Sequence, residues 1–371
     1  MRGTPLAVLA LVRALAGLGH RVDLLTFAQG EDVSVPGVRH LRSLRLPLGH
    51  VRAGASLAKL VLDVPFMARA AWRMAVGGYD VVHAVEEAAH LAAPLARLLR
   101  LPLVADVDSS LSDQLVESGF ARRGPLLWAA RRLERHALRH SAAVITVCGS
   151  LTDLVRERAP AANVFQIEDP PLVEEAPPDV AAVDALRREL GLDGRKVALY
   201  SGNFEPYQGV PLLLEAAAAL PDVQFVFMGG EPAQVAAARE SALALGCGER
   251  CLFTGKRPPA ELARFLALAD VVVSPRCRGV NTPFKVYTYL ASGRPLVATR
   301  IPTHTQLLDD SLAFLVEPTP DALAAGIRAA LAGDGEPGRR ARRGQELIRR
   351  EYSRARFEEK VREAYAAVAA P

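Results

Sequence analysis

The chain alternates two kinds of hydrophobic pattern. Short, nearly unbroken apolar runs such as Val197-Ala-Leu-Tyr-Ser201 and Val271-Val-Val-Ser274 predict strands buried on both faces. Longer stretches between them carry apolar residues every three or four positions and predict amphipathic helices. Regular alternation of the two is the pattern of βαβ units and a parallel sheet. In the first half it predicts strands at His20–Phe27, Val38–Leu44, Asp80–Val85, Leu103–Val107, Ala143–Val147 and Val164–Glu168, with helices at Ser56–Val76 and Pro125–His140. In the second half it predicts strands at Val197–Ser201, Gln224–Met228, Cys251–Thr254, Val271–Ser274, Leu296–Ala298 and Ala313–Val316. Helices near Val210–Ala219, Ala233–Leu245, Pro259–Leu268, Pro283–Ala291 and Ala322–Leu331 separate these strands, and Tyr352–Val368 forms a last long helix.

The series is broken once, at Asp169-Pro-Pro-Leu-Val-Glu-Glu-Ala-Pro-Pro178, whose prolines stop helix and sheet alike. Two domains are therefore expected, residues 1–172 and 173–351, which suits a length of 371 residues. The fold class is α/β, with two doubly wound Rossmann-like domains facing a cleft. Ligands of such sheets collect beyond the carboxyl ends of the strands, so the cleft is where a site is expected. The start is unusual. Met1-Arg-Gly-Thr-Pro5 looks like the glycine turn that follows a first strand, yet it opens the helix Leu6–Leu18 directly. Either translation was assigned to start too late and the first strand is missing, or the domain begins with a helix. The first reading is preferred.

Composition narrows the function. Half the residues are hydrophobic, enough for two cores, and the net charge of +4 argues against a general nucleic-acid binder. The excess sits in residues 1–170, with 20 Lys/Arg against 16 Asp/Glu. Cys148, Cys247, Cys251 and Cys277 lack the spacing of a zinc or redox site and read as buried, reduced thiols. Without a long apolar run or a signal-peptide layout, the expectation is a cytoplasmic protein.

Two stretches carry a resemblance: Tyr200-Ser-Gly-Asn-Phe-Glu-Pro-Tyr-Gln-Gly209, and Gly279-Val-Asn-Thr-Pro-Phe-Lys-Val-Tyr-Thr-Tyr-Leu-Ala-Ser-Gly-Arg-Pro-Leu-Val-Ala-Thr299. Both resemble the family-4 retaining glycosyltransferases of the GT-B fold. Gly17-Leu-Gly-His-Arg-Val-Asp-Leu-Leu-Thr26 resembles that family's first helix-to-strand turn, and Thr254-Gly255 and Ala269-Asp270 its later punctuation, so the likeness spans nearly the whole chain. It implies an acceptor-side first domain, a second domain that binds the nucleotide sugar, and a terminal helix (352–371) packing back on the first. It also implies a donor-phosphate loop at Gly202, Asn203, Phe204 and Gln208, and an opening turn at Gly3 and Thr4. The chain departs from the family in two respects. Neutral Asn203 and Gln208 stand where a basic pair is usual, and Val280 and Thr288 replace the paired glutamates, which leaves Thr288 at the ribose-binding position.

The residues themselves support an anion site. Thr282 reads as a helix N-cap with Pro283 in the first helical position, so amides and the positive dipole end face a ligand. Lys285 in that first turn opposes the dipole, which suggests an anionic partner; a solvated lysine is the other reading. Lys256 and Arg276 are further cations that could carry phosphate charge. In the first half Asp106 and Asp108 end a strand on one side and are the catalytic candidates, with strand-end capping as the alternative. His83 with Glu86 and Glu87 ends a neighbouring strand; His83, like His304, reads more readily as a hydrogen-bonded core residue. Ala121–His140 carries Arg122, Arg123, Arg131, Arg132, Arg135 and Arg139 around Trp128, with Glu134 its only acid. A peripheral contact with an anionic membrane and a solvated arginine face are equally weighted readings.

The expectation is a transferase that moves a sugar from a nucleoside diphosphate donor to an acceptor glycan, lipid or small molecule. Retention of configuration and the absence of metal or cofactor are implied by the resemblance. A catalytically inactive nucleotide-binding scaffold and a nucleotide-sugar epimerase on the same fold are the alternatives.

Overall fold

A computed structural model describes residues 3–30, 32–47, 57–117, 123–173, 179–192, 194–333 and 335–369. Residues 174–178 of the proline-rich break, Arg122, and the first two residues of the opening turn lie outside them. The chain divides into two compact units. One holds Ala7–Glu168 and the end of the chain from Phe357 on; the other holds Asp169–Arg356 with the start of the chain through Leu6.

In the first unit the strands are β1 (Val22–Thr26), β2 (Val38–Arg42), β3 (Val82–Val85), β4 (Leu103–Val107), β5 (Ala143–Thr146) and β6 (Val164–Gln166). β1 and β2 pair in parallel as a two-stranded sheet, and β3–β6 form a parallel four-stranded sheet in sequence order. Alternation along β4 sends Leu103, Ala105 and Val107 into one core and Val104 into another. The first core is closed by helices 57–76, 87–98, 125–140 and 149–158, through residues such as Met74, Ala93, Ala137 and Leu151. The second is closed by the opening helix, Gly3–Gly17, and the last helix, Arg354–Ala369, which brings in Phe357, Val361 and Ala364. Gly3 and Thr4 are part of that opening helix rather than a turn before it.

The second unit carries β7 (Lys196–Gly202), β8 (Val223–Gly229), β9 (Cys251–Gly255), β10 (Val271–Ser274), β11 (Leu296–Thr299) and β12 (Phe314–Val316). They form one parallel sheet in the order β12-β11-β10-β7-β8-β9. The chain fills one half outward from β7 and then returns to fill the other from β10. The crossover point thus lies between β7 and β10, where a doubly wound sheet opens a crevice at its carboxyl edge. Continuous burial along β7 and β10 reflects helices on both faces.

Every predicted strand is present, with ends moved by a residue or two. Helices 87–98, 111–117, 149–158, 180–189 and 336–351 were not singled out by the sequence pattern. The arginines at 339–343 sit on the last of these, which buries Ala341, Gly344 and Ile348. The terminal helix begins at Arg354, after a break at Tyr352–Ser353. Cys148, Cys247 and Cys251 are buried, Cys277 is half-buried, and all four are free thiols.

Candidate functional site

The second unit gathers its chemistry at the β7–β10 crossover. β7 ends at Gly202, and a Cβ there would lie 2.7 Å from the Lys285 ammonium, so a larger residue would push the tip of that side chain aside. After the turn, Gly209 (φ +74) brings its loop against the β10 loop, and the Cys277 amide donates to the Tyr207 carbonyl at 2.8 Å. Lys285 reaches inward from the start of helix Phe284–Ala291. Its Nζ donates to Gln208 Oε1 at 3.1 Å and stands 4.0 Å from the centre of the Tyr200 ring.

No carboxylate pairs with Lys285 among the described residues. Burial, and secondarily the nearby Arg276 charge, push its pKa well below the lysine range. Arg276 is buried too, held by the carbonyls of Arg278 and Asn281 and lying over the Tyr207 ring. Two inward-turned cations, a helix start and a glycine loop meet at a crossover point. Groups of this kind, gathered at a helix start, are suited to an anion.

Other expected donor-side residues are placed differently. Thr282 is not the N-cap: Pro283 is, with Phe284 the first helical residue and Lys285 the second, and the buried Thr282 hydroxyl makes no capping bond. Phe204 is a core residue, edge-on to Tyr200 and Phe227, rather than a ligand contact. Thr288 is buried, and its Oγ1 accepts from the Leu172 amide at 3.1 Å, so it is not presented to a ribose. Asn203 Oδ1 accepts from the Glu205 amide at 3.2 Å and shapes the turn, while the Asn203 carbonyl accepts from Tyr200. Lys256, at the far edge of the sheet, pairs with Glu231 at 2.6 Å.

His304 is fully buried at the carboxyl ends of β10 and β11. The Thr299 carbonyl can only accept, so Nδ1 carries the proton (2.8 Å) and Nε2 accepts from the Ser274 hydroxyl at 2.9 Å. Burial lowers its pKa to about 4, so it is a neutral strut between β10 and β11. The unfolded chain protonates near pH 6.5 while the folded one does not, so stability falls as pH drops from 6.5 towards 4, by roughly 3 kcal/mol in all. His304→Gln should flatten that slope in urea unfolding measured at pH 7, 6 and 5; an unchanged slope would assign the acid sensitivity elsewhere.

In the first unit, Glu86, Asp106, Asp108 and Ser109 stand at the carboxyl ends of β3 and β4. Asp106 Oδ2 accepts from His83 Nε2 at 3.2 Å, which leaves His83 Nδ1 to accept from the Tyr365 hydroxyl at 2.8 Å. Burial pushes the Tyr365 pKa up, so it remains a donor. Asp106 Oδ1 has no partner among the described residues. Asp108 is buried. Neither aspartate caps the following helix: Ser110 does, accepting from the Asp113 amide at 3.2 Å. Glu86 holds a left-handed backbone (φ 54), uncommon for a non-glycine residue and a mark of functional positions. Its carboxyl accepts from Ser109 at 3.1 Å, and burial raises its pKa. In the sequence, the only trace of this was a Glu-Glu pair after a strand.

Comparisons with known proteins agree with this geometry. A model of Glycosyl transferases group 1 matches residues 195–333, and a Glycosyl transferase 4-like domain matches residues 2–168. The chain belongs to the family-4 glycosyltransferases. The α-D-kanosaminyltransferase of Streptomyces kanamyceticus is 28% identical over 335 residues, covering 84% of this chain and 86% of the relative. The phosphatidyl-myo-inositol mannosyltransferase of Mycobacterium leprae is 26% identical, covering 92% and 87%. Among solved structures, Anabaena HepE in complex with UDP-glucose superposes with a TM-score of 0.79 at 17% identity, covering 99% of this chain and 96% of that one. These structures establish the GT-B fold, with two Rossmann-like domains; the glycosyltransferase matches in sequence establish the enzyme class. Among the described residues no three His, Cys, Asp or Glu side chains converge as metal ligands. No helix among them is long and apolar enough to cross a membrane.

Proposed function

We propose that this glycosyltransferase takes its sugar from a nucleoside diphosphate donor whose diphosphate sits at Lys285, and delivers it to the hydroxyl of a sugar or polyol. The observation that carries the reading is Lys285 itself: an inward-turned lysine with no carboxylate partner among the described residues, at the crossover of a doubly wound sheet. As the glycosidic bond to the diphosphate breaks, negative charge grows on the leaving oxygen. A fixed cation, the amides at the start of helix Phe284–Ala291 and the Gly202 loop are groups that would stabilise it. Anabaena HepE, bound to UDP-glucose, supports the donor class. A relative from Corynebacterium efficiens named D-inositol 3-phosphate glycosyltransferase, with the mycobacterial mannosyltransferase, supports a polyol acceptor. Glu86, Asp106 and Asp108 are the carboxyl groups on the acceptor-side unit. Retention and freedom from metal or cofactor rest on the family resemblance. None of the matches favours an inactive scaffold or an epimerase.

The test is thermal unfolding with a panel of nucleoside diphosphates and their sugars. At a hundredfold excess over Kd, binding contributes about 2.7 kcal/mol, a shift of several degrees. A panel in which nothing stabilises the protein would remove the proposal.

A further inference from the structure

Helices 57–76, 87–98 and 125–140 pack side by side over one face of the four-stranded sheet. Their outward sides are unlike the rest of the surface. Both tryptophans of the chain are there and mostly exposed, Trp72 at 58% and Trp128 at 64%. On helix 57–76 the exposed Val61, Val64, Trp72 and Val76 fall on a single stripe at helical spacing, with Arg69 beside it. Leu98 is exposed on the next helix, and Leu126 and Leu133 on the third. Most exposed large hydrophobic side chains among the described residues belong to these three helices.

The charge on this face is one-sided. Arg131, Arg132, Arg135 and Arg139 on helix 125–140 are exposed and make no ion pair among the described residues, and Arg132 lies 5.6 Å from the centre of the Trp128 ring. The helix's only acid, Glu134, is turned into the protein and bound by Arg158. It therefore offsets none of the outward positive charge. A solvated arginine face needs no exposed tryptophans or valine stripe. Tryptophan and arginine together, over apolar side chains, suit the headgroup layer of a bilayer.

We infer that this three-helix face is a docking surface for an anionic lipid membrane, with the arginines meeting headgroup phosphates and Trp72, Trp128 and the valines entering the acyl boundary. The inference does not rest on the donor proposal, since it is read by binding alone. The test is co-sedimentation of the full chain with phosphatidylcholine vesicles, with and without phosphatidylglycerol. Tryptophan emission is followed as well, since both tryptophans report on this face. Binding confined to the anionic vesicles, with a blue shift that disappears in high salt, is the expected result. Combined substitution of Arg131→Ser, Arg132→Ser and Arg135→Ser should weaken binding about 100-fold. Trp72→Ser with Trp128→Ser should also weaken it; all these side chains are exposed, so folding is not at stake. No binding to anionic vesicles, equal binding to neutral ones, or unchanged binding by both variants would overturn the assignment.

Discussion

Lys285→Met should lower kcat/KM by about 10² to 10³ while leaving the fold intact or slightly more stable. Stability does not suffer because methionine removes a buried amino group that has no carboxylate partner among the described residues, keeps the four-atom stem beneath it and still packs on Tyr200. Catalysis should suffer because the proposed donor site loses the group that would face the leaving diphosphate. Arginine is not a mild alternative: a planar guanidinium does not take the place of a compact ammonium beside Gly202 and Gln208. The variant therefore separates a ligand-binding lysine from a structural one. A loss of activity matched by a loss of melting temperature would mean that the lysine holds the fold. An unchanged kcat/KM would mean that the diphosphate lies elsewhere.

Arg158→Met should cost about 3–5 kcal/mol of stability, seen as a lower urea midpoint. Arg158 lies among Glu134, Ser110 (2.8 Å), Ser112 (3.0 Å) and Asp113 (3.2 Å), and Ser112 donates to Glu134 at 3.0 Å. Removing the guanidinium leaves a carboxylate buried without its cation. Adding Glu134→Gln to the same chain should recover most of the loss, because the remaining amide carries no charge. If the double variant is as unstable as the single one, shape rather than charge governs the cluster. The network also bears on function, since Ser110 caps the helix that follows Asp108.

The strands were legible because burial on both faces leaves an apolar run that few other structures produce. Helix 87–98 was not: its inner face holds alanines and His90 and its outer face holds leucines, so polar contrast between the faces is weak. At the donor side, Lys285 stood out in sequence because a cation in a first turn is electrostatically misplaced. The neighbouring residues were misread for local reasons. Pro283 was expected inside the helix, but its ψ of 128 makes it the cap and shifts the start by one residue. Phe204 follows a glycine turn, yet Tyr200 and Phe227 supply an aromatic cluster that draws it inward. Thr288 took its role from its place in a motif; that its hydroxyl is taken by the Leu172 amide depends on a residue far away in sequence. The strain at Glu86 is a backbone property that no residue type announces.

The central claim is that a buried lysine, its pKa pushed down by burial, receives the donor's diphosphate. Because its pKa in the free protein is depressed, binding an anion should draw in a proton, and affinity should fall as pH rises through that pKa. Calorimetric titration with the nucleoside diphosphate that stabilises the protein most, repeated in two buffers of different ionisation enthalpy, measures this directly. The account predicts saturable binding with net proton uptake that vanishes in Lys285→Met. Binding without proton uptake, or uptake that persists in the methionine variant, would contradict it.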